Sequence, residues 1–304
     1  MEQQAALTWT EQLESRYFSI LLLHRERSMR MHKKRYEELG FTEDFMFGKV
    51  MEDKELCRDV LERLLEKRVK ELQDVQTERG FQHSADGKPV RLDVYTKDQQ
   101  TVYDAEMQNL NHKSLGELAL PKRSRFYQST MDMDFLEKGH SYRELPYGII
   151  IFLCTFDPFR MGKAKYAFRN SCDTDGNLLL GDGTEKIFFN CTCPLEEVPE
   201  NLRTLFDFII NEKVGDELTA KLATALNNAR KNEKWGSEYM KELLHEDDVR
   251  TDAFAEGRSE GLIESRRETA NNMYKNHFTI EQIALALNEN RNVIEDWVGA
   301  IGDV

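Results

Sequence analysis

RLDVYTKDQQTVYDAEMQ, running from Arg91 to Gln108, is the stretch that decides the fold. Leu92 and Val94 alternate with Arg91, Asp93 and Tyr95, and Tyr103, Ala105 and Met107 alternate with Val102, Asp104, Glu106 and Gln108. A period of two predicts strands. The polar KDQQ between the runs predicts a turn, hence a hairpin with one face on the core. Alternation puts Asp104, Glu106 and Gln108 on one face. A turn centred on Asp98-Gln99 sets Asp93 opposite Asp104, with Glu106 as a diagonal neighbour. Like charges so close are destabilising unless a cation lies between them, and hard oxygen ligands suit Mg²⁺ or Mn²⁺. Such an ion can hold a phosphodiester and lower the pKa of a bound water. The plainer alternative is a solvent-facing hairpin side with Arg91 as counter-ion.

Outward from the hairpin, residues 8–38 carry Leu13, Tyr17, Ile20 and Leu21 at helical spacing, and Gly40 is a natural stop. FTEDFMFGKVMEDKELCRDVLERLLEKR predicts a further helix with Thr42 as N-cap, split near Glu52-Asp53, and with Phe45, Val50, Val60, Leu64 and Leu65 toward a core. Beyond the hairpin a helix is expected from Pro121, suited to a first turn, through Phe126, Met133 and Leu136 to Gly139. GIIIFLCTF (Gly148 to Phe156) reads as a buried central strand. Alternating segments at 163–170 and 185–189 flank the turn-rich DTDGNLLLGDGTE and extend the sheet. From about Pro199 onward the pattern is helical. The order predicts an α/β fold: a mixed sheet flanked by helices, followed by a helical C-terminal region.

At 304 residues the chain exceeds one ordinary core, so a domain with an appendage is expected. Hydrophobic residues at 40% and charged residues at 32% describe a globular chain. No apolar run approaches the roughly 20 residues a bilayer requires. MEQQAALTWTEQ has no basic region leading into an apolar stretch, so a cytoplasmic location without membrane partners is expected. Five unpatterned cysteines fit a reducing compartment, and the Cys191/Cys193 pair lacks the partners of a zinc site. The net charge of −13 argues against holding nucleic acid by a basic surface alone. A basic run from His24 to Arg35 reads as a solvated face.

Several segments, in this order, resemble the PD-(D/E)xK nucleases, in the subgroup with Gln in the lysine position. They are TEDFMFGKVM, the Asp93 and ExQ hairpin, KRSRFYQSTMDMDFLEKGHSYRELP, IIIFLCTFDPF and LGDGTEKIF. The likeness is to the PD-(D/E)xK nuclease family transposases, or Rpn family recombination-promoting nucleases. It implies a restriction-endonuclease-like core over 41–198, and the helical patterns around it give an N-terminal helix (1–40), a helical region (199–256) and a helical tail (257–304). It also implies a Mg²⁺- or Mn²⁺-dependent DNA endonuclease of low sequence specificity, linked to mobile elements and recombination. Asp93 and Glu106 are then metal ligands, the backbone carbonyl of Met107 a third, Asp44 an outer ligand, and Gln108 stands where lysine would. Gln can orient a water but supplies no charge. Asp104 and Glu78 have no such warrant. No third acidic motif of an RNase H-like transposase is present, so hydrolysis is expected and strand transfer is not.

On the helix after Pro121, Lys122 and Arg125 lie three apart and Arg123 and Tyr127 four apart. Phosphate positioning is the functional reading, a solvated face the plain one. In the tail, Ile280, Ile283, Ala284 and Leu287, a turn at 288–290, then Val293, Ile294 and Trp297 spell helix, turn, helix, with Thr279 as N-cap. It resembles the family's helix-turn-helix tails. The missing turn glycine and the Glu295-Asp296 charges leave DNA recognition and packing or homodimerisation both open. Gly257 and Gly261 mark an exposed helix or hinge. The rival to a nuclease is a weakly active or inactive descendant that binds DNA or a partner protein in regulation or defence, which Gln108 and the acidic balance favour.

Overall fold

Three strands come from the alternating region: β1 (Val75–Phe81), β2 (Val90–Lys97) and β3 (Thr101–Gln108). The apolar run makes β4 (Tyr147–Cys154), and the later segments make β5 (Lys165–Phe168) and β6 (Thr184–Asn190). They form one six-stranded sheet in the order β1-β2-β3-β4-β6-β5. β3, β4 and β6 run parallel, and the outer pairings are antiparallel. The sheet is therefore mixed, as expected. β4 is apolar throughout because it lies between two parallel neighbours with both faces covered. This computed structural model describes residues 34–81, 89–109, 116–136 and 141–299. The chain divides into two compact units, Met1–Gly236 and Ser237–Val304.

The helices of the first unit are α1 (Asp44–Met51), α2 (Lys54–Leu65), α3 (Gly116–Phe135), α4 (Glu200–Asn211) and α5 (Glu217–Arg230). α1 and α2 part at Glu52-Asp53 as predicted, because the Asp53 carboxylate accepts the Glu55 and Leu56 N–H groups at 3.0 Å and caps a new helix. One face of the sheet packs on α3 through Leu120, Tyr127 and Met131, over Ile150, Phe152, Cys154 and Phe188. On the other face α1 lies against the first three strands and Phe189 meets Phe206 of α4 edge-on. Both faces of the β2–β3 hairpin are thus buried, not one, since a strand pair inside a two-layered cover has no solvent side.

Several local expectations are corrected. Residues 8–33 lie outside the described residues, and 34–38 do not continue a helix. Lys34 and Arg35 are non-helical and Tyr36–Glu38 is a single 3-10 turn, pinned by the Tyr36 hydroxyl donating to the Ala229 carbonyl at 2.5 Å. Of the basic run only Lys34 and Arg35 are described, and they pair with Glu43 and Glu38. Thr42 does not cap α1. Glu43 occupies that position and turns its carboxylate back to Gly40 N–H at 2.6 Å. Phe45, Val50, Val60 and Leu64 are buried, while Leu65 is half-buried. α3 starts at Gly116, so Pro121 stands inside the helix; the sheet contact of Leu120 fixes a turn that the proline alone would have ended. Its buried stripe is Leu120, Ser124, Tyr127 and Met131, with Phe126 and Met133 outside.

The second unit takes in nearly all of α6 (Glu233–Lys275), with α7 (Ile280–Leu287) and α8 (Arg291–Gly299). Gly257 and Gly261 lie within continuous exposed helix. Thr279 caps α7 as predicted, with reciprocal bonds to Gln282. Asn288 supplies the left-handed residue, at φ 50°, that the absent turn glycine would have given. Ala270, Ile283, Ile294 and Val298 make this unit's core. Among the described residues no helix is long and apolar enough to cross a membrane.

Candidate active site

The β2–β3 ladder decides which acids meet. Its pairs are Val94↔Ala105, Tyr95↔Asp104, Thr96↔Tyr103 and Lys97↔Val102, and Asp98 N–H reaches Thr101 O across a loop of Gln99 and Gln100. The turn is thus centred one position later than Asp98-Gln99. Asp93 comes level with Glu106, and Asp104 lies opposite Tyr95. At that level carboxylates replace the ladder: Asp93 N–H donates to Glu106 Oε1 at 2.9 Å and Met107 N–H to Asp93 Oδ2 at 2.9 Å. Each carboxylate is held by the other strand's backbone, which fixes both without spending a side-chain cation.

Burial here is deep: Asp93 is 8% exposed, Glu106 1% and Asp104 0%. Burial first, then the charges of Glu106 and Asp44, lift the Asp93 pKa well above the carboxylate range, against the opposing pull of the Met107 N–H. Glu106 is lifted by burial and by the Asp104 charge, and drawn back by Asp93 N–H and Arg123. Asp104 is lifted by burial, with its neighbour Glu106 opposing the lift. Apart from a proton shared with the Glu106 carboxyl, neither Asp104 oxygen meets a hydrogen-bond donor among the described residues. A bare carboxylate there is costly, so a proton or a cation must satisfy it.

Asp44, the first residue of α1, is near enough for its charge to act on Asp93. One turn on, Gly48 lets the helix lie close to the strands: a Cβ there would come 3.4 Å from Thr77 Cβ and 3.9 Å from the Asp93 carbonyl oxygen. Across the cluster, Arg123 of α3 donates to Gln108 Oε1 at 2.7 Å and to the Tyr127 hydroxyl at 2.7 Å, with Glu106 Oε2 at 3.4 Å. Its guanidinium lies 5.2 Å from the Tyr127 ring centre and 5.9 Å from that of Phe152. Gln108 Nε2 donates to the Met107 carbonyl at 2.8 Å. Of the four α3 candidates, Arg123 and Tyr127 join the cluster, while Lys122 and Arg125 stand on the exposed side. Glu78 is half-buried with a left-handed backbone, 3.9 Å from Arg91.

The PD-(D/E)XK nuclease family transposase model matches residues 40–173. That span holds both acids, Gln108 and Arg123. Over these residues the chain is similar to the PD-(D/E)XK nuclease family transposases. The family's nuclease-like α/β fold accounts for the six-stranded mixed sheet and its helices. No curated protein and no solved structure matches the chain. In this matched region the separation in sequence of Asp93 from Glu106 is closed by one hairpin, whereas the contact of Arg123 with Gln108 crosses from a helix to a strand. Only the i, i+4 spacing of Arg123 and Tyr127 signals it in sequence. Among the described residues no three His, Cys, Asp or Glu side chains are gathered as a ready metal cage. The five cysteines are free thiols, and Cys193 turns to the Gly162 carbonyl.

Proposed function

We propose that this chain is a metal-dependent endonuclease that hydrolyses DNA phosphodiester bonds with little sequence preference, a cytoplasmic enzyme linked to mobile elements and recombination. The observation that carries the reading is the buried level of Asp93 and Glu106 across the hairpin, with Gln108 and Arg123 at its edge. The donor set fits a hard divalent ion. Each of the two carboxylates keeps an oxygen beyond its backbone bond, Asp104 adds two oxygens without N–H donors, and Mg²⁺ or Mn²⁺ needs few protein ligands because it retains waters. Asp93 and Glu106 would hold it, with the Met107 carbonyl as third ligand once the Gln108 amide turns away, and Asp44 in an outer place. Such an ion, when bound, supplies Lewis-acid charge to the phosphoryl oxygens.

The chain's own residues do the rest. The reciprocal backbone bonds keep both carboxylates in place. Gln108 orients the attacking water. Arg123 and Tyr127 meet the scissile phosphate, and Lys122 and Arg125 hold its flanks. The test is nicking of supercoiled plasmid with Mg²⁺, Mn²⁺ or EDTA, by the wild type and by Asp93→Ala. Metal-dependent nicking lost in Asp93→Ala supports the reading. No nicking with any metal overturns it.

A second reading, a DNA- or protein-binding descendant without catalysis, is favoured by the Gln108 side chain folded over the Met107 carbonyl and by the net charge of −13. It predicts DNA or partner binding that metal leaves unchanged. For the tail we propose packing or homodimerisation in place of base reading, because Arg291, which opens the second helix, is paired with Glu281 and Glu295. A solution mass of one chain would overturn the dimer.

A further inference from the structure

We infer that Arg123 is a further catalytic residue, delivering from α3 the positive charge that Gln108 omits from β3. The inference rests on the nuclease reading above. A lysine at position 108 would set an ammonium against the transition-state charge. In this chain Gln108 instead offers an acceptor: its Oε1 accepts Arg123 Nη1 at 2.7 Å. An ammonium has three donors and no acceptor, so lysine at 108 could not receive Arg123 and would repel it. Gln108 and Arg123 are therefore a matched pair, the strand offering an acceptor and the helix the cation.

The surroundings suit the role. Arg123 is planar, always charged and anchored on the Tyr127 hydroxyl by both Nε and Nη2, at 3.2 and 2.7 Å. Its side chain is 36% exposed while the Glu106 carboxylate beneath it is 1% exposed, so the guanidinium stands between solvent and the acids, where a phosphate would enter. Its contact to Glu106 is the longest of the set at 3.4 Å, which leaves that direction open for a stronger anion. Lys122 and Arg125, on the exposed side of the same helix, have no such path to the cluster. In the step itself the water oxygen bonds to phosphorus as the bond to the leaving oxygen breaks. The water's proton passes to solvent and the leaving oxygen gains one. Arg123 donates hydrogen bonds to the phosphoryl oxygens throughout and stays protonated.

The experiment is plasmid nicking under saturating and limiting DNA, with Mg²⁺, by the wild type, Arg123→Met, Arg123→Lys, Gln108→Lys and the Gln108→Lys/Arg123→Gln double variant. Duplex-DNA Kd in EDTA and thermal melting are measured alongside. Arg123→Met should lose about 100-fold in kcat with KM and Kd within about threefold, and added methylguanidinium should restore part of it. Arg123→Lys, which keeps a cation and tests the case where Met destabilises the helix, should fall between. Gln108→Lys should lose about tenfold, and the double variant should be more active than either Gln108→Lys or Arg123→Met. A loss confined to KM and Kd overturns the inference and leaves Arg123 a phosphate holder, with the nuclease intact. Arg123→Met nicking at the wild-type rate overturns it too. A wild type that fails to nick with either Mg²⁺ or Mn²⁺ overturns the nuclease reading and this inference with it.

Discussion

In the first unit the interior takes in Asp93, Asp104 and Glu106, whereas in the second the buried residues are Ala270, Ile283, Ile294 and Val298 and the charges stay outside. The second unit leaves apolar side chains in solvent as well: Leu244, Phe254, Leu262 and Ile263 are all exposed on α6. Burying a carboxylate costs free energy, and a fold keeps three together only where something else requires them. A small apolar core between short helices needs no such explanation. On the proposed reading the chemistry belongs to the first unit and the second serves packing.

The sharpest way to break that division is Glu106→Ala, expected to cut nicking about 1000-fold while leaving the melting of α7 and α8 untouched. Equal loss of activity from a core change in the second unit would erase the distinction. Ile294→Ala should destabilise that unit by about 2–4 kcal/mol. Hydrogen exchange should then speed up in α7 and α8 and stay unchanged in β3 and β4.

Asp104→Asn should act in the opposite direction, raising Tm at pH 7 by on the order of 5 °C. Burial holds the Asp104 pKa well above its ordinary value in the folded chain. The protonated group is therefore at no disadvantage at low pH, and stability is lost as pH rises from the ordinary carboxylate value toward the raised one. The wild type should gain stability on acidification from neutral, and Asp104→Asn should flatten that slope. A melting point that falls in Asp104→Asn would show that the carboxylate is satisfied in solution. The smallest effect is expected from Thr279→Ala, about 1 kcal/mol from the lost cap, read as fraying of α7 alone.

What could be read in one dimension was what neighbours in the chain decide. The alternation from Val75 to Gln108, the apolar run of β4, the break at Glu52-Asp53 with its Asp53 cap, and the Thr279 cap all follow from contacts within a few residues. The sequence already held Asp93, Glu106 and Gln108 on adjoining strands, since a hairpin is a local structure. Failures came where a distant surface overrode a local rule. Pro121 signals a helix start, yet packing of Leu120 on the sheet carries α3 through it. Phe126 and Met133 look like core residues, yet the sheet lies on the Tyr127 side.

The site divided in the same way. Composition and alternation by themselves determined a mixed α/β sheet with a row of acids on one hairpin. Tertiary structure alone decided that the turn is centred one position later, so that Asp93 meets Glu106 and Asp104 lies buried, with no N–H donor among the described residues. It also decided that, of four basic or aromatic candidates on α3, Arg123 and Tyr127 turn inward. Strand register and helix rotation are set by how two surfaces fit together, and no stretch of chain contains both surfaces.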